Sequence, residues 1–327
     1  MVMPAEWAPH ERTLMAWPCR TELWGELLEE ARRDHAAVAS AVAAFEPVTM
    51  VANPGEQAAR ARAACAGEVE ILELAIDDSW LRDSGPIFTL GQTGTRIGVH
   101  FGFNAWGEKF SPFDKDARIG GLLADRYGDA TEIAPFILEG GSIGVDAHGT
   151  LITTEECLLH PSRNPSMTKE QIEAGLIEHL GVARVVWLGK GLVEDRDTDG
   201  HVDLIAAFTS SGEVLLQCGP PGTEDEERME DNRERLEAAG LAVQRLEVLP
   251  FVEVAGEQIA VSHMNFYIAN GGVIVPLSGQ ETDDEALRVI GEAYPDHEVV
   301  GVPGAVLAYG GGGPHCITQQ VPARMGA

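Results

Sequence analysis

The sequence predicts an α/β protein made of five successive units in one closed assembly, and three observations carry that expectation. A chain of 327 residues with 44% apolar content can bury a large core. One pattern recurs along it: a short β-rich run, a polar loop, an amphipathic helix ending near Gly or Asp, and a second β-rich run. No long linker separates the copies, so a single domain spanning residues 1–327 is expected.

The first copy is "VTMVANPGEQAARARAACAGEVEILEL", from Val48. The second begins at Arg96 with "RIGVHFGF", continues through "DARIGGLLADRYGDA" and closes on "TEIAPF". The third runs from Thr150 through "TLITTEECLL" and "TKEQIEAGLIEHLG" to "ARVVWL". Its helix opens on Thr168 with Gln171 three residues later, which predicts a capping box. The fourth spans "EVLLQC" to "AVQRLEVL", and the fifth "GGVIVPL" to "HEVVGV". Their starts lie 48 to 63 residues apart, too irregular for a consensus solenoid. The pattern alone leaves an ordinary doubly wound sheet as the alternative.

Charge and cysteine usage narrow the function classes. With 52 acidic and 23 basic residues the formal net charge is −29, which repels nucleic acid and anionic membrane surfaces and admits a cationic small ligand. The same acidity serves plain solubility. "MVMPAEWAPHERT" lacks a basic stretch followed by an apolar one, and no apolar run approaches membrane-spanning length. Cys19, Cys65, Cys157, Cys218 and Cys316 are scattered and odd in number, so free thiols in a reducing cytoplasm are expected.

Unusual polar stretches fall just after the closing strand of four units. They are "DDSWLRDSGP" (77–86), "LEGGS" (138–142), "EDRDTDGHVD" (194–203) and the run "GGGGPHC" ending at Cys316. A radial arrangement of the units would gather Asp83, Glu139, His201, Asp203 and Cys316 at one site. Each has an ordinary use by itself. Asp83 suits a turn, Glu139 a wet loop, His201 a packed or surface histidine, Asp203 a strand end, and Cys316 a small buried apolar side chain. Their shared placement is what argues for chemistry.

Competing chemistries fail on spacing. No helix-like segment follows "GGGGPHC", no phosphate-loop or Gly-x-Ser-x-Gly motif occurs, and no paired Cys or His spacing suits zinc. A cysteine, a histidine and several carboxylates remain. Like charge disfavours a thiolate there, unless the substrate brings positive charge of its own. A guanidinium does so and matches carboxylates through paired hydrogen bonds.

The stretches "MPAEWAPHERTLMAWP", "DDSWLRDSGP", "FGFNAWG", "LEGGSI", "TTEECLLHPSRNP", "DGHVD", "NFYIANGGVIVP" and "HCITQQ" resemble the agmatine deiminase family, relatives of bacterial peptidylarginine deiminase, in order from about residue 3 to 322. The resemblance implies a five-bladed pseudo-symmetric α/β propeller of ββαβ modules. It implies hydrolysis of agmatine to N-carbamoylputrescine and ammonia, without metal or cofactor. Residue by residue, it implies Cys316 as nucleophile, His201 as general acid/base, Asp83 and Asp203 as the guanidinium clamp, and Glu139 as the group that orients and charges His201. Trp80 is implied as an aromatic wall for the cation. The glycines before Cys316, Gly313 among them, are expected to bring backbone close to the substrate.

Two departures bear on specificity. The family usually reads Glu-Thr-Asp-Gly-His where this chain has Asp197-Thr198-Asp199-Gly200-His201, and that acidic position is associated with the distal amine of agmatine. One methylene fewer withdraws the carboxylate by roughly 1.5 Å. The family also usually has Asn-Ile before His-Cys, whereas Gly313-Pro314 stands here. Arg196 is a candidate partner for a carboxylate on a guanidino acid. Deimination of another guanidino compound, amidino transfer through the same intermediate, and non-catalytic binding of guanidines or polyamines stay open as alternatives. The expected partner is a small cationic guanidino substrate, with a homodimer among the open oligomeric states.

Overall fold

The structure is a computed structural model that describes residues 1–65, 69–195 and 197–324. The five copies read from the sequence all fold as β–α–β, and each belongs to its own sheet. Their opening strands, Val48–Ala52, Arg96–Gly102, Thr150–Thr154, Val214–Gln217 and Gly272–Leu277, each pair in parallel with the strand that follows the helix. Val48–Ala52, Thr150–Thr154 and Val214–Gln217 are buried throughout, and all three are built of apolar and β-branched residues with a single Gln at the end of the last.

A strand the repeat pattern did not include completes each sheet. Ile87–Leu90, Ile143–Val145, Ala206–Phe208 and Tyr267–Ala269 lie antiparallel to the opening strands of units two to five. Each has four residues or fewer, too short to show an alternation. In unit one, His10–Ala16 lies parallel to Val48–Ala52 and antiparallel to Thr318–Pro322, with Leu14 opposite Gln319. The two ends of the described chain are thereby neighbours in one sheet.

Helix boundaries follow their caps. Thr168 Oγ1 accepts from the Gln171 N–H while the Gln171 side chain accepts from the Thr168 N–H at 2.8 Å, and left-handed Gly181 ends that helix. Thr223 caps Glu224–Ala238, whose first turn holds Glu224, Asp225, Glu226 and Glu227 where the helix dipole favours negative charge. The Leu28–Ala43 helix and the hairpin Phe251–Val254/Glu257–Ala260 lie outside the repeat.

Apolar clusters join each unit to the next. Leu14 and Val51 meet Ile119 and Leu123; Val99 and Phe136 meet Leu151 and Leu176; Ile152 and Leu188 meet Val214 and Leu236; Leu215 and Leu246 meet Val273 and Ile290. A fifth cluster joins Ile274 and Val302 of the last unit to Met50 and Ala61 of the first.

Candidate active site

Between each unit's last strand and the next short strand the chain makes a tight turn. Leu81–Ser84 and two 3-10 turns, Gly140–Ser142 and Val202–Leu204, serve three junctions, and bends at 263–265 and 314–317 serve the others. Asp83, Glu139, His201, Asp203 and Cys316 all lie in or beside these turns, and all are buried. Gly141 shows how closely they converge. A methyl built on its Cα would stand 2.7 Å from His201 Nδ1, 2.8 Å from Asp203 Oδ2 and 3.0 Å from Asp83 Oδ1.

Cys316 is held through its backbone. Its N–H donates to Asn265 Oδ1 at 3.2 Å, its carbonyl accepts from Arg82 N–H at 3.2 Å, and its Sγ donates to Asp203 Oδ2 at 3.3 Å. Burial, then the charges of Asp203 and Asp83, push the thiol well above the ordinary cysteine range, opposed by the backbone of Gly313.

His201 sits on a loop ordered by Asp195, whose carboxylate accepts from the N–H groups of Thr198, Gly200 and His201 and from Thr198 Oγ1. Asp199 and Gly200 have φ of 62° and 89°, the left-handed conformation that brings the chain round. Both ring nitrogens of His201 lack a hydrogen-bond partner, and Nδ1 stands 3.9 Å from Asp83 Oδ1. Glu139 is near but not hydrogen-bonded to it. Glu139 Oε1 accepts from Arg163 Nε at 2.5 Å and its Oε2 has no partner.

The two aspartates are set apart by their surroundings. Asp83 Oδ1 accepts from the Gly141 N–H and Oδ2 from Trp106 Nε1, both at 2.9 Å. Burial nevertheless raises its pKa above the usual carboxylate range, with His201 opposing and Asp203 and Glu139 reinforcing. Burial also pushes Asp203 upward, but the hydrogen bond and charge of His315 outweigh it and hold Asp203 below that range. His315 Nδ1 is 2.8 Å from Asp203 Oδ2, and its Nε2 is 2.8 Å from Glu6 Oε1. Asp203 Oδ1 has no partner.

A narrow pocket leads to the sulfur, lined by Trp80, Asp83, Trp106, Phe110, Asp197 and Cys316 among others. Trp80 stacks on Trp24 with ring centroids 5.8 Å apart. Ala105, Trp106 and Glu108 all have positive φ, at roughly 1–3 kcal/mol each, and this strained segment aims the Trp106 indole at Asp83. Asp197 is half-buried on a wall shared with an open cleft of about 1300 Å³. Arg196 lies outside the described residues.

The glycine run packs closely on the protein as well as lining the site. Gly313 does not line the pocket; its Cα packs on Asn265, where a methyl would approach Oδ1 to 2.9 Å. Gly312 is pressed between Cys316 and Trp80, and Gly310 against the Trp24 ring. Gly311 does line the pocket and has a φ of 106°. Gly310 lines the pocket as well, and Gly312 lines the adjoining cleft.

Several residues gave no signal of their own in the sequence. Arg163, Trp106, His315, Glu6 and Asn265 all lie inside the quoted stretches, but nothing in their spacing marked a role. Asn265 comes from the junction after unit four, which shows no conspicuous polar run, and it completes the set of five junctions. Cys157 was also unassigned. With Glu139 and His201 it brings three donor atoms within 4.8 Å, the set among the described residues that could hold a metal. The Arg163 guanidinium on Glu139 opposes a cation there.

Comparison with known proteins gives one consistent answer. The agmatine deiminase of Stutzerimonas stutzeri is 42% identical, covering 98% of this chain and 95% of that protein. The structure matches agmatine deiminase of Enterococcus faecalis with a TM-score of 0.93 at 34% identity, covering 99% of this chain and 96% of that one. It matches a cysteine-to-serine variant of C. jejuni agmatine deiminase with substrate bound at a TM-score of 0.90 and 26% identity, covering 99% and 97%. Residues 2–322 match the Porphyromonas-type peptidyl-arginine deiminase family, to which the chain therefore belongs, and it is a hydrolytic deiminase.

Proposed function

We propose that this enzyme hydrolyses agmatine to N-carbamoylputrescine and ammonia through a covalent intermediate on Cys316. The observation that carries the reading is the convergence of Cys316 Sγ, His201 and two carboxylates of opposite pKa tendency, all of them buried, at one place. A guanidinium between Asp83 and Asp203 pairs with both and brings one positive charge beside the sulfur, which offsets part of their field and favours the thiolate. Trp80 and Trp106 flank it with aromatic faces.

The thiol proton passes to His201, and the thiolate attacks the central carbon, forming a C–S bond and a tetrahedral adduct. Collapse breaks one C–N bond as His201 passes a proton to the departing nitrogen, which leaves as ammonia. His201 then takes a proton from water. The resulting hydroxide attacks the thiouronium carbon, and the C–S bond breaks to release the ureido product and the thiolate. Glu139, with Oε2 unpartnered, stabilises His201 in its charged form. Asp197 receives the distal amine of the substrate.

The fold supports this reading. The cyclic succession of apolar clusters supports five sheets arranged as the blades of a propeller in one catalytic domain, with the junction turns meeting at its axis. No helix among the described residues is long and apolar enough to cross a membrane. All five cysteines are free thiols, which supports a reducing, cytoplasmic setting. The chemistry described uses no cofactor.

The deciding experiment incubates the enzyme with agmatine, arginine and shorter or longer guanidino compounds and identifies the products. Ammonia with the matching ureido compound is expected, greatest for agmatine. A new guanidino compound formed from an added amine would mean amidino transfer instead. Cys316→Ser should remain folded and lose nearly all turnover, and a quenched wild-type reaction should carry an amidino adduct on Cys316. Substantial turnover by the serine variant would refute the assignment.

A further inference from the structure

We propose that His315, the residue before the nucleophile, is a positioning residue that keeps Asp203 ionised and so sets the pH range in which the site works. The reaction it serves rests on the deiminase reading above. Its geometry does not.

His315 is buried, with a carboxylate oxygen 2.8 Å from each ring nitrogen: Asp203 Oδ2 at Nδ1 and Glu6 Oε1 at Nε2. Only the imidazolium donates at both nitrogens; a neutral ring would turn a lone pair toward one of the two anions. The charged groups around it come from every neighbouring segment. Glu6 is on the N-terminal stretch, Arg82 on the Leu81–Ser84 turn, Asp203 on the Val202–Leu204 turn, and Cys316 follows directly. Arg82 Nε donates to the His315 carbonyl and its Nη1 to Glu6, so one guanidinium fixes both backbone and partner.

His315 is the largest of the influences that hold Asp203 charged; the charge of His201 and the Cys316 thiol come after it. Its Oδ2 receives His315 and the Cys316 thiol, and its Oδ1 has no partner. The small cavity on its His315 side is otherwise lined mainly by apolar side chains such as Ile143, Val145, Phe208 and Phe266. Among the described residues lining that cavity, Trp7 is the other side-chain donor, and its indole carries no charge. Without the imidazolium, Asp203 would be a desolvated carboxyl facing Asp83 and would take up a proton.

The signs follow from the two groups. Burial and Arg82 push His315 down, but Glu6 and Asp203 outweigh them, so its pKa is raised. Its contribution is therefore complete below the ordinary imidazole range and lost as pH rises through the raised value. Asp203 is lowered, so its contribution is present above the ordinary carboxylate range and lost as pH falls through the lowered value. Both partners are charged between those limits.

Two variants test this. His315→Asn keeps a donor without charge, and Glu6→Gln keeps the bond while removing the anion that supports the imidazolium. The acid limb of kcat/KM for ammonia release should move to higher pH in His315→Asn. The loss at pH 5.5 should be about tenfold for each pH unit the limb moves, and smaller at pH 8. In Glu6→Gln the alkaline limb should move to lower pH. Urea unfolding supplies an arm that needs no substrate: the stability gap between wild type and His315→Asn should widen from pH 4 to 6.5, because a desolvated Asp203 then ionises at a cost. Equal loss at every pH together with a constant gap would overturn the proposal and leave His315 as packing alone. If His315→Asn does not fold, an unmoved alkaline limb in Glu6→Gln overturns it. If wild type released no ammonia from any guanidino compound, the deiminase reading would fall, and the unfolding arm would still decide for or against His315.

Discussion

Arg163 Nε meets Glu139 Oε1 at 2.5 Å with neither side chain exposed, and the same guanidinium reaches Asp199 Oδ2 at 2.7 Å and the Thr198 carbonyl at 3.0 Å. One planar group thus ties Glu139 to the loop that carries His201. Lysine cannot make that fork. Arg163→Lys should lower kcat about 10- to 100-fold with a smaller change in KM, since it disturbs the support of the proposed acid/base pair and not the pocket. Arg163→Met leaves Glu139 buried and unpaired and should cost about 3–5 kcal/mol in urea unfolding. Wild-type kcat in Arg163→Lys would show that the fork is dispensable.

The thiol should be quiet until a cation arrives. Burial and the charges of Asp203 and Asp83 hold Cys316 protonated at neutral pH, so iodoacetamide should label the free enzyme slowly at pH 7 and faster as pH rises. A cationic amidine carrying a leaving group should label it much faster, and Asp83→Asn should lose that preference. Fast labelling by iodoacetamide at pH 7 would mean a thiolate formed in advance, and would rule out activation by substrate.

Gly141 is the position where a single carbon does most damage. Its φ is not in the left-handed region, so alanine is sterically allowed by the backbone; the obstacle is His201, Asp203 and Asp83 around the new methyl. Gly141→Ala should cost on the order of 1–3 kcal/mol from overpacking and abolish ammonia release. Turnover within a few-fold of wild type, measured on protein with an unchanged circular dichroism spectrum, would contradict the convergence of those three groups.

Asp197 stands where the narrow pocket opens into the larger cleft. Removing its charge in Asp197→Asn should weaken agmatine by about 1–3 kcal/mol, seen mainly in KM, and leave a guanidino compound without a distal amine almost unaffected. Equal effects on both substrates would place recognition of the tail elsewhere.

The sequence was legible where a residue's own chemistry or a strand's own length made a signal. The buried opening strands stood out as β-rich runs, and the Thr168 cap was readable from two letters. Asp83, Glu139, His201, Asp203 and Cys316 were marked by recurring at equivalent junctions. The short antiparallel strands were not legible, because three or four residues carry no period. Asn265, Trp106 and Arg163 act through hydrogen bonds to partners 51, 23 and 24 residues away, and no local pattern encodes such a bond. The glycine run was visible, but its cause was not. Its members answer to Trp24, Trp80 and Asn265, which only the folded chain brings beside them.

The pairing of Thr318–Pro322 with His10–Ala16 makes this enzyme its own assembly checkpoint. Cys316 lies two residues before that strand, so the sulfur is delivered by strands from opposite ends of the chain. Closing so large a loop is the entropic step least favoured early in folding. A chain with four sheets formed and this one open would be compact yet chemically silent. Returning ammonia release would therefore time the last seam to close, while circular dichroism would report the helices that came before.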